Sequence, residues 1–127
     1  MVISIRDGSD IPIYQQIRNQ IVLGISDGRL QPGEQLPTVR ALAEEIGINT
    51  MTVSKAYQIL KSEGYIITDR RSGARVQSSF RRQGEMTAEN KELLRKIISE
   101  AKISGMSWEV FREECERYYS EGNIVDE

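Results

Sequence analysis

The sequence predicts a mainly α-helical chain with one small β-hairpin, organised as a larger N-terminal part and a small helical tail. Three observations carry this. Apolar residues recur at helical spacing in five stretches. The period becomes that of a strand only between residues 65 and 77. A polar, glycine-containing stretch at 78–86 then separates the hairpin from two further helices. The 127 residues are 39% hydrophobic and 28% charged, which suits one ordinary domain or a small domain with an appendage and excludes a disordered or fibrous chain.

At the N-terminus, Val2, Ile3 and Ile5 predict a brief strand or an arm, closed by the turn Asp7-Gly8-Ser9-Asp10. Pro12 suits the first turn of a helix, with Asp10 in capping range. Ile13, Ile17, Ile21 and Ile25, broadened by Tyr14, Val22 and Leu23, give an amphipathic helix over 11–27 that Gly28 ends. Residues 31–37, QPGEQLP, form a tight connection. Thr38 caps a second helix with Val39, Leu42, Ala43 and Ile46 on its apolar face, and Gly47 terminates it. Asn49 or Thr50 caps a third helix, whose inward positions are Val53, Ala56, Tyr57 and Leu60 and whose stop is Gly64. Strands over 65–68 and 74–77, joined by the polar turn 69–73, complete the hairpin. In the tail, Thr87 caps a helix carrying Leu94, Ile97, Ile98 and Ala101. Gly105 breaks it, and Ser107 caps a last helix with Trp108, Phe111, Cys115 and Tyr118. The helices at 87–104 and 107–120 make an αα-hairpin. The predicted domains are therefore an arm and helical domain over 1–77, a linker at 78–86, and a small helical domain over 87–127.

Composition excludes several chemistries. There is no histidine, which removes His-based acid–base catalysis, the usual nucleophile pairs and His-ligated metals. The single cysteine forms no internal disulfide. No phosphate-binding glycine loop occurs, so no cofactor, metal site or enzymatic activity is expected. The start is neither a basic nor an apolar leader, and no apolar run approaches membrane-span length, so the expectation is a cytoplasmic protein.

Three helices followed by a hairpin is the order of a winged helix-turn-helix. A helix enters the DNA major groove only if it projects from its domain while the preceding helix braces it on the backbone. The third helix meets this requirement. Asn49, Thr50, Thr52, Ser54 and Lys55 cluster at its N-terminal end, where short polar side chains and free backbone N–H groups suit phosphates and base edges. Arg70, Arg71 and, beyond Gly73, Arg75 make the hairpin cationic at its tip.

The stretch LPTVRALAEEIGINTMTVSKAYQILKSEGYI, residues 36–66, resembles the DNA-binding domain of GntR-type bacterial transcription regulators, and the upstream IPIYQQIRNQIVLGISDGRLQPGEQLPT fits the same family's first helix and turn. The resemblance covers residues 10–77. The two-helix tail and the length narrow it to the YtrA subfamily. It implies DNA contacts from Thr38 and Arg40 at the start of the second helix, from Asn49, Thr50, Thr52, Ser54 and Lys55 on the third, and from the wing. Tyr57 matches an aromatic that packs. Where the family's wing has glycine, any residue, glycine, this chain has Arg71-Ser72-Gly73 and keeps only the second glycine.

In the tail, Leu94, Ile97, Ile98, Ala101, Trp108, Phe111, Cys115 and Tyr118 form a candidate dimer interface, because two helices alone cannot bury both apolar faces. Cys115 is expected to be a buried small hydrophobe. The expected protein is thus a homodimeric regulator, a repressor in the sense the subfamily implies, binding double-stranded DNA at an inverted-repeat operator, with a transporter operon as the implied target. The competing reading is a winged-helix module that binds a protein. A small-molecule effector is left open. The net charge of −2 is unevenly spread. Residues 1–80 hold nine Lys/Arg and eight Asp/Glu, whereas residues 81–127 hold eight and eleven. The acidity lies largely in the tail, so few cations face phosphate and affinity is expected to rest on the dimer.

Overall fold

A computed structural model describes residues 1–71, 73–80 and 84–121. The chain divides into two compact units that meet in sequence between residues 80 and 81.

In the first unit, α1 (Ile13–Ser26), α2 (Val39–Ile46) and α3 (Thr50–Ser62) precede an antiparallel hairpin of β1 (Ile66–Asp69) and β2 (Gly73–Val76). Helix α1 starts later than its apolar period suggests. Pro12 is the capping residue itself, its carbonyl accepting from the Gln16 N–H at 3.0 Å, and no side chain caps the helix, so Asp10 does not take that role. The caps of the next two helices are made by side chains. Thr38 Oγ1 accepts from the Ala41 N–H at 3.0 Å, and Asn49, not Thr50, accepts from the Thr52 N–H at 2.8 Å. Between them Gly47 turns the chain at φ +72°, a left-handed conformation that glycine adopts without a Cβ penalty.

The strands sit one residue away from the expected positions at opposite ends, pairing Ile66 with Val76 and Asp69 with Gly73. The connection at 31–37 is more than a turn. Gln35 bridges to Arg75, the Leu36 N–H donates to the Ala74 carbonyl at 2.8 Å, and the Val76 N–H donates to the Glu34 carbonyl at 2.8 Å. This segment therefore supplies the outer edge of β2 with backbone partners, a pairing invisible to side-chain periodicity.

Residues 1–10 form no strand. They are an arm held by two glutamines one turn apart on α1. Gln16, only 4% exposed, accepts from the Arg6 N–H at 2.9 Å and donates to the Ile11 carbonyl at 2.9 Å, while Gln20 accepts from the Ser4 N–H at 2.9 Å. Ile3 and Ile5 pack against the core, which is built from Ile17 and Ile21 of α1, Leu42 of α2, Val53, Ala56 and Leu60 of α3, and Ile66 and Val76 of the hairpin. Leu30 follows α1 so closely that a Cβ on Gly24 would stand 3.0 Å from its Cδ1. Phe80, placed by sequence in the linker, instead packs on this core, its ring 6.3 Å from that of Tyr65. The expected linker residues 81–83 lie outside the described residues.

The second unit holds α4 (Ala88–Ile103) and α5 (Trp108–Ser120), each begun by a hydroxyl cap. Thr87 accepts from the Asn90 N–H at 3.1 Å and Ser107 from the Val110 N–H at 3.2 Å. Salt bridges one turn apart, Lys96–Glu100 and Arg112–Glu116, line their surfaces. Neither helix buries a single residue within the chain. Leu94, Ile97, Ile98, Trp108 and Tyr118 are all exposed. So is Cys115, contrary to its expected burial, because among the described residues the two helices of this unit leave that side of α5 open. Residues 122–127 of the expected tail domain lie outside the described residues.

Candidate nucleic-acid interface

Helix α3 presents two chemically distinct sides. Val53, Ala56, Tyr57 and Leu60 are buried, and Thr50, Met51, Lys55 and Gln58 are exposed, with Thr52 and Ser54 half-buried between them. Asn49 accepts from the Thr52 N–H, so its amide oxygen serves the cap, while Thr50 is exposed beside it and the half-buried Ser54 hydroxyl accepts from the Gln58 amide. Met51 is 82% exposed at the second helical position, an apolar tip among polar neighbours.

Tyr57 locks α3 to the start of α2. Its hydroxyl donates to the Pro37 carbonyl at 2.7 Å, and burial, with a smaller push from Glu45, raises its pKa well above the ordinary tyrosine value. The residue therefore stays a neutral donor that packs, and it fixes the segment from which Thr38 and Arg40 project. Arg40 is exposed in the first turn of α2 and joins no ion pair among the described residues.

A cleft of about 310 Å³ runs between this corner and the wing. Thr38 and Val39 line it from α2, Ser54, Gln58 and Lys61 from α3, and Thr68 and Gly73 from the hairpin. Thr38, Ser54 and Gly73 are expected from the sequence, whereas Gln58, Lys61 and Thr68 are not. The signal was present: Gln58 and Lys61 follow Ser54 at i+4 and i+7, on the same helical face. Gln58 and Ser54 already approach at 3.5 Å.

The wing cations separate into two kinds. Arg70 and Arg71 are exposed at the tip, where the Arg71 N–H closes a turn on Asp69 Oδ1 at 2.8 Å. Ser72 lies outside the described residues, and Gly73 begins β2 at φ +70°. Arg75 does not belong to the tip. It lies within β2, opposite Ile67 and beside Gln35, half-buried and with Nε lacking a hydrogen-bond partner among the described residues. Lys55 also points away from the cleft. Its ammonium sits 4.0 Å from the centre of the Tyr14 ring, on the flank of α3 that faces α1. On that flank Arg18 pairs with Glu63 at 2.9 Å and ties the two helices together.

Of the predicted site residues, Thr38, Ser54 and Gly73 meet in one cleft. Arg40, Thr50, Arg70 and Arg71 are exposed on the elements that border it, Asn49 caps α3, and Thr52 is half-buried in its first turn. Lys55 and Arg75 stand apart. The candidate interface residues of the tail are exposed except for Ala101 and Phe111, which are half-buried. No helix among the described residues is long and apolar enough to cross a membrane.

Comparison with known proteins adds four findings. The model for bacterial regulatory proteins of the gntR family matches residues 13–76. The chain is 38% identical over 115 residues to the HTH-type transcriptional repressor YtrA of Bacillus subtilis (strain 168), covering 88% of each protein. Among solved structures, it is similar to a transcriptional antiterminator from Listeria monocytogenes EGD-e (TM-score 0.82, 30% identity, 93% of this chain and 90% of that one). It is also similar to YtrA from Sulfolobus acidocaldarius, a GntR-family transcription factor (TM-score 0.64, 37% identity, 81% and 99%).

Proposed function

The chain belongs to the gntR family of bacterial regulatory proteins and is a DNA-binding transcription regulator rather than an enzyme; from that premise we propose that it is a cytoplasmic repressor acting as a homodimer on an inverted-repeat operator. The observation that carries this reading is the cleft between α3 and the wing, bordered by an exposed, unpaired Arg40 and by the wing-tip arginines. A duplex laid there receives phosphate contacts from Thr38, Arg40, Arg70 and Arg71. Thr50, Met51 and Thr52 at the N-terminal end of α3 are turned toward base edges, with Asn49 holding that end in place and Ser54 and Gln58 next along the helix. Arg75 serves the wing from within β2, and Lys55 serves the opposite flank.

Dimerisation is assigned to the tail. Leu94, Ile97, Ile98, Trp108 and Tyr118 are exposed in one chain, and a second copy of the same unit is a cover of matching chemistry for them, for Ala101 and Phe111, and for Cys115. Two winged units related by a two-fold axis read a sequence with dyad symmetry. Repression by occlusion, at a transporter operon, follows the pattern that the subfamily implies.

Selecting bound duplexes from a random DNA pool, followed by footprinting, tests the reading. The expected result is a protected site with dyad symmetry. Arg40→Ala is expected to weaken binding about tenfold and to lower the salt dependence by about one phosphate contact per protomer. If no duplex is retained, the chain is a winged-helix module for a protein partner instead.

A further inference from the structure

We propose that Tyr14 is a positioning residue for DNA binding, holding the Lys55 ammonium on the α1 flank of α3 so that it meets the phosphate strand opposite the one gripped by the wing. The inference rests on the DNA reading above and extends it to a residue of α1.

The two flanks of α3 are built differently. On one, Ser54, Gln58 and Lys61 face the cleft shared with α2 and the wing. On the other, Lys55 leans over Tyr14, its Nζ 4.0 Å from the ring centre. A helix with its side chains is about 10–12 Å across, close to the width of the major groove, so a helix seated there has a phosphate strand along each side. The cleft flank has Thr38, Arg40 and the wing tip for its strand. On the α1 flank, the cation at the N-terminal half of α3 is Lys55.

A lysine on a flexible four-carbon stem loses rotamer freedom when it docks on a phosphate. An acidic partner would hold it still but would also neutralise it. Lys55 has no such partner among the described residues. The ring of Tyr14 restrains the ammonium through its π-face while leaving its charge whole and its outward N–H donors free. Tyr14 is fixed in turn, since it sits in the first turn of α1 and is half-buried against the core. The pair thus behaves as a pre-aimed cation rather than a mobile one.

The test measures affinity and its salt dependence for the full chain on the duplex that the wild-type chain selects, with thermal unfolding of every variant alongside. Lys55→Met is expected to lower the salt slope by about one per protomer. Tyr14→Leu is expected to weaken binding roughly fivefold through lost preorganisation, and Tyr14→Phe, which keeps the π-face, to bind as the wild type does. In the Lys55→Met background, Tyr14→Leu is expected to have no further effect, an epistasis that a general effect of Tyr14 on folding would not produce. Equal weakening by Tyr14→Leu with and without Lys55 would overturn the proposal, as would unchanged binding by Tyr14→Leu. Weakening by Tyr14→Phe as large as that by Tyr14→Leu would also overturn it, because the hydroxyl would then be the contact. If the wild-type chain retains no duplex, the DNA reading itself fails and takes this inference with it.

Discussion

Residues 1–80 close thirteen apolar side chains into a core of their own, whereas α4 and α5, equally rich in apolar residues along one face, bury none. Both units use the same local devices. Each helix after α1 begins with a side-chain cap, and apolar residues recur at helical spacing throughout. The difference lies in the third dimension. Three helices and a hairpin enclose space from several sides, so Ile17, Leu42, Val53 and Leu60 reach zero exposure. Two helices joined by a short turn form a shallow cavity of about 330 Å³ at their elbow, lined by Ile98, Ala101, Trp108 and Phe111 among others. A strong amphipathic pattern therefore identifies a face that must be covered without saying whether the cover lies in the same chain.

The largest effect is expected from Leu42→Ala, which removes a fully buried side chain and should cost about 3 kcal/mol of unfolding free energy. Ile97→Ala, on an exposed tail position, should cost well under ~1 kcal/mol in dilute solution while weakening self-association. Denaturant titration at low protein concentration, paired with sedimentation at high concentration, separates the two. Comparable unfolding losses would mean that the tail face is already covered.

Next comes Tyr57→Phe. The variant leaves the Pro37 carbonyl without its donor and should cost about 1 kcal/mol at neutral pH. The same residue gives the first unit a pH signature. Its folded-state pKa is raised by burial above the ordinary 10.0, so the stability it contributes is intact below that value. As pH rises past 10.0 the unfolded chain ionises first and stability falls. Tyr57→Phe should make that alkaline decline shallower, which denaturant titrations between pH 8 and about 11 would register. An unchanged slope would mean that Tyr57 ionises freely in the folded chain. A smaller loss than for Leu42 is expected from Asn49→Ala, which removes the cap of α3 and should cost roughly half to one kcal/mol, with a loss of DNA affinity larger than the loss of stability because the recognition end frays. Circular dichroism and binding measured on the same sample provide the comparison.

Much of this was legible in the sequence. The five helices follow from apolar period and punctuation, and Gly47 and Gly64 mark helix ends with the positive φ they adopt. What was not legible depends on backbone pairing or on the choice between equivalent side chains. The bridge from Gln35 to Arg75 uses main-chain groups that carry no residue signature. Asn49 and Thr50 are both competent caps, and only the local φ and ψ decide between them. Gln16 sits beside the apolar stripe as a polar residue, and its burial has meaning only once the arm folds back to meet it. For the candidate site, the end of α3 and the wing tip were evident from composition. The departure of Lys55 toward Tyr14, and of Arg75 into the strand, required the packing of α1 and of residues 33–36. The exposure of Cys115 has the same origin as the exposure of Trp108, since the pattern marks an apolar face and not its cover.

The proposal that joins the two regions is that an open tail and a closed winged unit together make a two-fold DNA reader. It is tested most directly by the mass of the protein on its selected duplex, measured by light scattering, for the wild-type chain and for a variant carrying Ile97→Asp and Trp108→Asp. Two chains of 14.5 kDa per duplex are expected for the wild type, and for the variant a folded monomer with operator affinity lowered by about two orders of magnitude. One wild-type chain per duplex at full affinity, or a variant that still assembles and binds as the wild type does, would contradict it.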